Sequence, residues 1–352
     1  MLWTVSVVGV LLLGFAGLVG NFLLLGWESV QEQQRRMLEL AASQQTASGW
    51  ADASSADDLS DVPYNELQVV ASHNSYVLQP TWLQTAVIGL VEPSDAVTLQ
   101  YEHAPLWDQL EAGIRSFELD LRWNGHDFVM SHVPLVANRS TAPSFALALE
   151  ELALWSESHP GHLPISIMLE LKSDYMFLDP TLRPFDAAAF DALDAALEGT
   201  IGDAMFSPDE LRGSAPSLRA AVADAGWPSV DELRGSMLFF FSNDETTREA
   251  YLDGHANLDG RAVFTSSQTD ADDAVFAVRD DPADAAIAAD IAAGLIVRTR
   301  ADADLATAAD ERDRALASGA QIVSTDFPPS QPHAETGYLV EFPGGHLARA
   351  VR

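Results

Sequence analysis

Two apolar segments with the length and composition of buried strands contain charged side chains. In "IRSFELDLRW", Glu118 and Asp120 alternate with apolar residues, so both carboxylates lie on one face of the predicted strand. In "PISIMLELK", Glu170 and Lys172 share a face in the same way. A charge inside an apolar strand is costly unless it is paired or bound to a cation. These strands therefore hold either structural ion pairs with arginines or the ligands of a functional site.

A histidine and an amide follow a third apolar segment. Leu67–Ala71 leads into "SHNS", which contains His73 and Asn74, and a second histidine, His132, follows the apolar run Phe128–Ser131. If the strands are parallel neighbours, Asn74 joins the three carboxylates in an all-oxygen set that suits a hard cation such as Ca2+. Two histidines, which titrate near neutrality, could remove and donate protons beside that ion. A lone histidine after a strand is more often an ordinary polar residue, so this interpretation depends on the whole set.

The elements that must position these residues are short apolar runs that alternate with helical patterns. Eight such runs in about 290 residues favour an α/β fold, a TIM-like (β/α)8 barrel, over an open doubly wound sheet, which would carry a glycine-rich first turn. The predicted strands are Leu67–Ala71, Arg115–Leu121, Phe128–Ser131, Ile165–Leu171, Met237–Phe241, Ala262–Thr265, Leu295–Thr299 and Gln321–Thr325. The predicted helices are Leu106–Ala112, Phe145–Ser156, Phe185–Leu197 and Leu305–Ser318.

Two connections predict an irregular barrel. Only "RWNGHD" separates the second and third predicted strands, which indicates a tight turn where a regular barrel has a helical crossover. The segment Lys172–Gly235 is long and predicts additional helices or a lid.

The N-terminal segment is apolar enough to interact with a membrane. From Leu2 to Trp27 the chain carries no charge, and about 20 apolar residues suffice to cross a bilayer as a helix. We predict a signal anchor or transmembrane helix over residues 1–27, with an unconventional export signal or a buried core helix as alternatives. A polar, acidic linker is predicted over residues 28–62, and a catalytic barrel over residues 63–352.

These segments predict a chain that is membrane-anchored or exported, at the cell surface, in the periplasm or outside the cell. Arg35 and Arg36 follow the apolar segment, and by the positive-inside rule they would keep the barrel cytoplasmic. The orientation is therefore left open.

The charge balance excludes one class of partner. The chain has 52 acidic residues against 19 basic ones, of which Lys172 is the only lysine, and its net charge is -33. Such a chain repels nucleic acid, and it also repels an anionic bilayer unless cations or salt intervene. The absence of cysteine excludes thiolate catalysis and zinc–sulfur sites. No feature of the sequence indicates a protein partner.

Five motifs in order, "ASHNSY", "GIRSFELDLRWNG", "FVMSH", "ISIMLELK" and "IVSTDFP", resemble the calcium-dependent phosphoinositide-specific phospholipase C family, in the bacterial branch of the PLC-like phosphodiesterases. The resemblance extends from Tyr64 to about Pro328. It implies a TIM-like barrel that cleaves the phosphodiester of phosphatidylinositol at a membrane surface. The products would be diacylglycerol and a cyclic or hydrolysed inositol phosphate, and the cofactor would be Ca2+.

The resemblance also implies roles for individual residues. His73 would contact the transition state and transfer a proton, His132 would protonate the leaving group, and Glu118 is an alternative base. Lys172, Arg298 and Arg300 are candidate groups for binding substrate phosphate, or else form salt bridges with nearby acids. Because the chain has one lysine, plain phosphatidylinositol is the favoured substrate. The implied calcium ligands are Asn74, Glu118, Asp120 and Glu170.

Two other functions remain as alternatives. Glycerophosphodiester phosphodiesterases have a similar barrel, but their first strand is followed by "HRG" where this chain has "HNS". A surface-anchored lipid- or sugar-binding protein without activity is the second, although every position of the core set carries the matching residue type. Separately, Trp82, Val87, Ile88 and Leu90 either contact lipid at the barrel rim or cover the side of the barrel.

Overall fold

The protein is a parallel barrel preceded by one long helix, in a computed structural model that describes residues 2–43, 52–55 and 57–351. Seven strands form a parallel sheet in the order β5-β4-β2-β1-β8-β7-β6, while β3 and β9 pair antiparallel with β2 and β1. The strands are β1 Leu67–Ser72, β2 Ser116–Trp123, β3 Phe128–Met130, β4 Ile165–Leu171, β5 Met237–Ser242, β6 Phe276–Val278, β7 Ile296–Arg300, β8 Ile322–Thr325 and β9 Ala348–Ala350.

Helices cover the outside of this sheet, as the alternating pattern predicts. The predicted long segment after β4 contains three of them, α6 to α8. The helices are α1 Leu2–Ser43, α2 Trp82–Val91, α3 Asp95–Thr98, α4 Leu106–Glu111, α5 Phe145–Ser158, α6 Ala187–Ile201, α7 Pro208–Arg212, α8 Leu218–Ala225, α9 Glu245–Leu252, α10 Ala286–Ala292 and α11 Ala309–Ala317.

Residues 262–266 bring the two edges of the sheet together. Phe264 bridges to Phe240 of β5, and Ser266 bridges to Phe276 of β6, both in the parallel sense. These bridges nearly close the sheet into a barrel, in which residues 262–266 take the eighth strand position beside the seven parallel strands. The TIM-like prediction is therefore confirmed. The set of barrel strands differs from the predicted set in two ways. Residues 262–266 make only isolated bridges, and the predicted strand at Phe128–Ser131 pairs antiparallel with β2. Strand β6 was not predicted, because three residues are too few to show the alternation of apolar and polar side chains that marks a strand.

Strand β5 shows why most strand residues are apolar. Phe239, Phe240 and Phe241 are consecutive and fully buried. Phe240 stacks on Phe276 with ring centroids 4.5 Å apart, while the ring of Phe241 packs against Tyr251 of α9 at 4.8 Å. Both faces of the strand are therefore covered, which is the arrangement that a parallel sheet requires.

Helix α1 extends beyond the apolar segment that predicted it. It continues without a break past Trp27 to Ser43, through Gln, Glu, Arg, Leu and Ala, which are strong helix formers. The first part of the range predicted as a linker, 28–62, is therefore helical. Leu59, near the end of that range, is buried in the barrel core. Residues 44–51 and 56 of the same range lie outside the described residues.

Asp52 joins the N-terminal region to the base of the barrel. Its Oδ2 accepts hydrogen bonds from Arg115 Nε and Leu163 N at 2.8 and 2.9 Å. The Asp52 and Arg115 side chains are only 3% and 2% exposed. Burial alone would raise the pKa of Asp52, but the Arg115 guanidinium outweighs it and holds the pKa at about 2.

We expect Asp52→Asn to lower the free energy of unfolding by about 3–5 kcal/mol at neutral pH, because it leaves the Arg115 charge buried and unpaired. Urea unfolding of the full chain in detergent measures the change, and Asp58→Asn, which alters an exposed carboxylate, is the matched control. The native pKa of Asp52 is depressed, so its contribution is present above the unfolded pKa of about 3.9 and is lost as the pH falls towards 2. The gap between wild type and variant should narrow in that range; a constant gap would contradict this account.

Candidate active site

A cavity of about 260 Å3 lies at the carboxyl ends of the barrel strands. Eight of the nine predicted site residues line it, and the ninth, Asp120, lies buried directly behind His132. The eight that line it come from the ends of five different strands and converge on one space, as the topology predicts. The predicted residues that line it are His73, Asn74, Glu118, His132, Glu170, Lys172, Arg298 and Arg300.

Three carboxylates form a cluster on the adjacent strands β2 and β4. Asp120 and Glu170 are direct partners in the register of the two strands, and Glu118 lies two residues earlier on the same face as Asp120. One oxygen from each lies within 4.8 Å of the others. Three such oxygens can surround a single cation.

Asn74 supplies a fourth oxygen to the same cavity. Its backbone adopts a left-handed conformation with φ of 45°, which asparagine tolerates better than most residues. Its Nδ2 donates to the Tyr101 hydroxyl at 2.9 Å, whereas its buried Oδ1 accepts no hydrogen bond from any of the described residues. An unpartnered buried oxygen beside three carboxylates fits a hard cation that binds oxygen, and Ca2+ has that preference.

Lys172 and Arg298 balance the cluster electrostatically. Lys172 Nζ lies 2.8 Å from Glu170 Oε1 and 3.6 Å from Asp120 Oδ2, and Arg298 Nη2 donates to Glu118 Oε2 at 2.5 Å. Burial, together with the Asp120 charge, raises the pKa of Glu170. Burial also works to raise the pKa of Asp120, but Lys172 and then His132 outweigh it and hold that pKa well below its usual range.

His73 is oriented by a carboxylate from the last barrel strand. Its Nδ1 lies 2.6 Å from Asp326 Oδ1, and its Nε2 lies 3.6 Å from Glu118 Oε1. With Nδ1 donating to Asp326, Nε2 is the proton acceptor of the ring. Burial, and then the Arg300 charge, lower the pKa of His73 well below its usual value. The ring is therefore neutral at pH 7 and competent to accept a proton.

His132 has an equivalent arrangement on the other side of the cluster. Its Nδ1 lies 3.0 Å from Asp120 Oδ2, and its side chain is 23% exposed at the cavity. Each histidine is thus held through Nδ1 by a buried carboxylate. The site contains two oriented imidazoles and one cluster of carboxylate and amide oxygens, which is a set suited to proton transfer beside a cation.

The three basic residues predicted to bind phosphate all form ion pairs in the structure. Lys172 pairs with Glu170, Arg298 with Glu118 and also with Asp280, and Arg300 Nη2 with Asp326 Oδ2 at 3.2 Å. The salt-bridge alternative is therefore present, and phosphate binding by the same groups stays a prediction.

Sequence reasoning assigned no role to two residues that the structure places at the site. Asp326 is recognisable in "STDFP" as a residue at the end of the last predicted strand, but that position alone gives it no function. Tyr101, whose hydroxyl lies 3.1 Å from His73 Nδ1, occupies a loop before α4 where no periodic pattern could place it.

Comparison with known proteins identifies the family of the chain. The sequence model of the family described as "Phosphoinositide phospholipase C, Ca2+-dependent" matches residues 62–127 and 122–351. A search of curated proteins found no match. Because the family match covers most of the chain, the chain belongs to the calcium-dependent phosphoinositide phospholipase C family, whose members are phosphodiesterases that depend on Ca2+.

Solved structures agree on the fold. The calcium-dependent phosphoinositol-specific phospholipase C from a Pseudomonas species, in its apo form, is 16% identical with a TM-score of 0.61, over 86% of this chain and 100% of that one. The calcium-dependent phosphatidylinositol-specific enzyme from Streptomyces antibioticus is 19% identical with a TM-score of 0.54, over 75% and 94%. At these identities the likeness establishes a shared barrel.

We expect Asn74→Gly and Asp120→Asn each to weaken Ca2+ binding at least tenfold, because the first removes an oxygen ligand and the second removes a negative charge from the oxygen cluster. Glycine keeps the left-handed backbone at position 74, so the loss reports on the side chain. Calorimetric titration of the full chain in detergent measures the affinity without any substrate. Asn243→Ala, at a strand end outside the cavity, is the matched control, and equal affinities in all variants would remove these residues from the ligand set.

Proposed function

We propose that the protein is a Ca2+-dependent phospholipase C that cleaves phosphatidylinositol to diacylglycerol and inositol phosphate. The observation that carries the proposal is the pair of histidines, each held by a buried carboxylate through Nδ1, on either side of the oxygen-ligand cluster. Cleavage of a phosphodiester by an internal hydroxyl needs one group that takes a proton and one that gives a proton. The two histidines supply both.

His73 takes the proton of the inositol 2-hydroxyl on Nε2 as that oxygen bonds to phosphorus. The bond from phosphorus to the glycerol oxygen breaks, and His132 in its protonated form gives a proton to that oxygen. The products are diacylglycerol and a cyclic inositol phosphate, which water opens when the two histidines act in reverse. When bound, Ca2+ stabilises the charge on the phosphoryl oxygens and lowers the pKa of the hydroxyl.

Glu118 remains the alternative base for this step. Its Oε2 already accepts from Arg298, and its carboxylate belongs to the cluster with Asp120 and Glu170. These contacts support a ligand role, which leaves proton removal to His73.

The head group is inferred from the ion pairs of the cavity. Lys172, Arg298 and Arg300 each hold a carboxylate, so few positive charges are free for additional phosphates on the inositol ring. This supports plain phosphatidylinositol over its phosphorylated forms. Arg300 contacts both Asp326 and His73 Nδ1, at 3.3 Å from the latter, and is the group best placed to meet the phosphodiester itself.

We expect the full chain in phosphatidylinositol-containing mixed micelles to release inositol phosphate with added Ca2+, to stop on chelation, and to resume when Ca2+ is restored. Glycerophosphoinositol, the soluble diester, is the parallel substrate, and turnover of it in preference to the lipid would favour the glycerophosphodiesterase alternative. No turnover of either substrate would favour a binding protein.

His73→Ala and His132→Ala should each lower kcat by about 10²–10⁴-fold, because each removes a proton-transfer group. His126→Ala, which alters an exposed histidine in the β2–β3 turn, is the matched control and should retain full turnover. Initial rates on phosphatidylinositol measure the effect. Activity retained by either catalytic variant would contradict the assignment of its residue.

A further inference from the structure

The solvent exposure of helix α1 changes at Phe22. From Leu12 to Phe15 its large apolar side chains are 63–76% exposed. From Phe22 onward one face is buried at helical spacing, at Phe22, Ser29, Gln33 and Met37. The second part of the helix therefore packs on the barrel, while the first part extends away from it as an apolar rod.

Polar contacts fix this second part to the barrel. Gln33 is fully buried, and its side-chain amide both donates to Ser144 O at 3.0 Å and accepts from Ser144 N at 2.8 Å. Arg36 donates to the buried Glu151 of α5 at 2.9 Å. Near Gly26 the approach is so close that a Cβ would lie 2.6 Å from Asn138 Nδ2. These contacts make the helix a fixed part of the barrel wall.

The order of the contacts gives the direction of the helix. Phe22 O accepts from Asn138, in the loop that follows His132 at the cavity, whereas Arg36 lies beside Glu151 in the middle of α5. The helix therefore runs from the side of the barrel at Arg36 to the mouth of the barrel at Phe22, where the mouth is the end at which the cavity opens. The residues before Phe22 project beyond the mouth, and twenty helical residues extend about 30 Å, the thickness of a bilayer core.

The rim of the mouth carries its own exposed apolar side chains, here called the rim patch: Trp82, Leu90, Val97 and Phe177. They are 62–85% exposed. Of the other two residues considered for the rim, Ile88 is buried and Val87 is half-buried. Asn138 connects the rim patch to α1. Its Oδ1 accepts from Gln84 of α2 at 3.2 Å, and its Nδ2 donates to Phe22 O of α1.

We propose that α1 is retained as a rigid strut that spans a lipid bilayer and holds the barrel mouth, with its rim patch, against the surface of that bilayer. Removal of the apolar segment after Trp27 would strip Phe22 from its buried position, so the packing supports an anchor over a cleaved signal. The uncharged stretch Leu2–Trp27 has the length of a span, and the exposed Trp27 at its end suits a membrane interface. The proposal concerns the position of the site and does not depend on the reaction.

The test uses the absence of cysteine from the chain. Single-cysteine variants Leu90→Cys at the rim, Glu157→Cys at the opposite end of α5, and Leu13→Cys in the apolar rod are labelled with an environment-sensitive fluorophore. The full chain is placed in phosphatidylcholine vesicles that carry a nitroxide-labelled lipid as quencher and contain no phosphatidylinositol. We expect the labels at 13 and 90 to be quenched severalfold more than the label at 157.

Three outcomes would overturn the proposal. An unquenched label at 13 would mean that something other than a bilayer, such as a second copy of the chain, covers the rod. Equal quenching at 90 and 157 would mean that the mouth does not face the membrane. Membrane-bound protein whose mass shows loss of the first 27 residues would mean that the segment is a cleaved signal.

Gly26→Leu tests the strut itself, because the leucine side chain collides with Asn138 and loosens the helix from the loop. The label at 13 should remain quenched in this background while the label at 90 loses most of its quenching. Unchanged quenching at 90 would show that the rim patch binds the membrane without help from α1, and would overturn the strut. Loss of quenching at both positions would show that Gly26 serves insertion, which also overturns it.

Discussion

The barrel mouth depends on the balance of charges that are buried together. Four carboxylates from three strand ends face three basic side chains and two histidines within one cavity wall. An isolated buried charge costs several kcal/mol, so each of these groups is tolerable only because its partners are present. The strands can therefore be apolar almost throughout and still end in charged residues. The carboxylates are Glu118, Asp120, Glu170 and Asp326, and the basic groups are Lys172, Arg298 and Arg300.

Buried ion pairs also attach the N-terminal region to the barrel. Arg36 of α1 reaches the buried Glu151, and Asp52 reaches the buried Arg115 at the opposite end of the barrel. Both are pairs between residues more than 60 positions apart, at 115 and 63 respectively. A chain with a net charge of -33 has few basic residues, and several of them are buried where distant segments of the chain contact each other.

The sequence predicted the local features well and the contacts between distant segments poorly. Glu118, Asp120 and Glu170 were identifiable because alternation within one strand fixes the face of each side chain. The three-residue strand β6 has no period, and the polar residues after Trp27 suit a linker as well as a helix until the buried Gln33 reveals the packed face. Asp326 lies 253 residues from His73, so their contact depends on barrel closure.

The position of Lys172 makes the site chemically distinguishable from the rest of the chain. It is the only lysine in 352 residues, and burial, which lowers the pKa of its amine, is outweighed by Asp120 and Glu170, which raise it. An amine held protonated reacts slowly with acylating reagents. Its ammonium lies 2.8 Å from Glu170 Oε1 and 3.6 Å from Asp120 Oδ2 at the wall of the cavity. The one side-chain amine of the chain therefore stands at the site, and a covalent amine label on a side chain would mark the cavity and no other part of the protein.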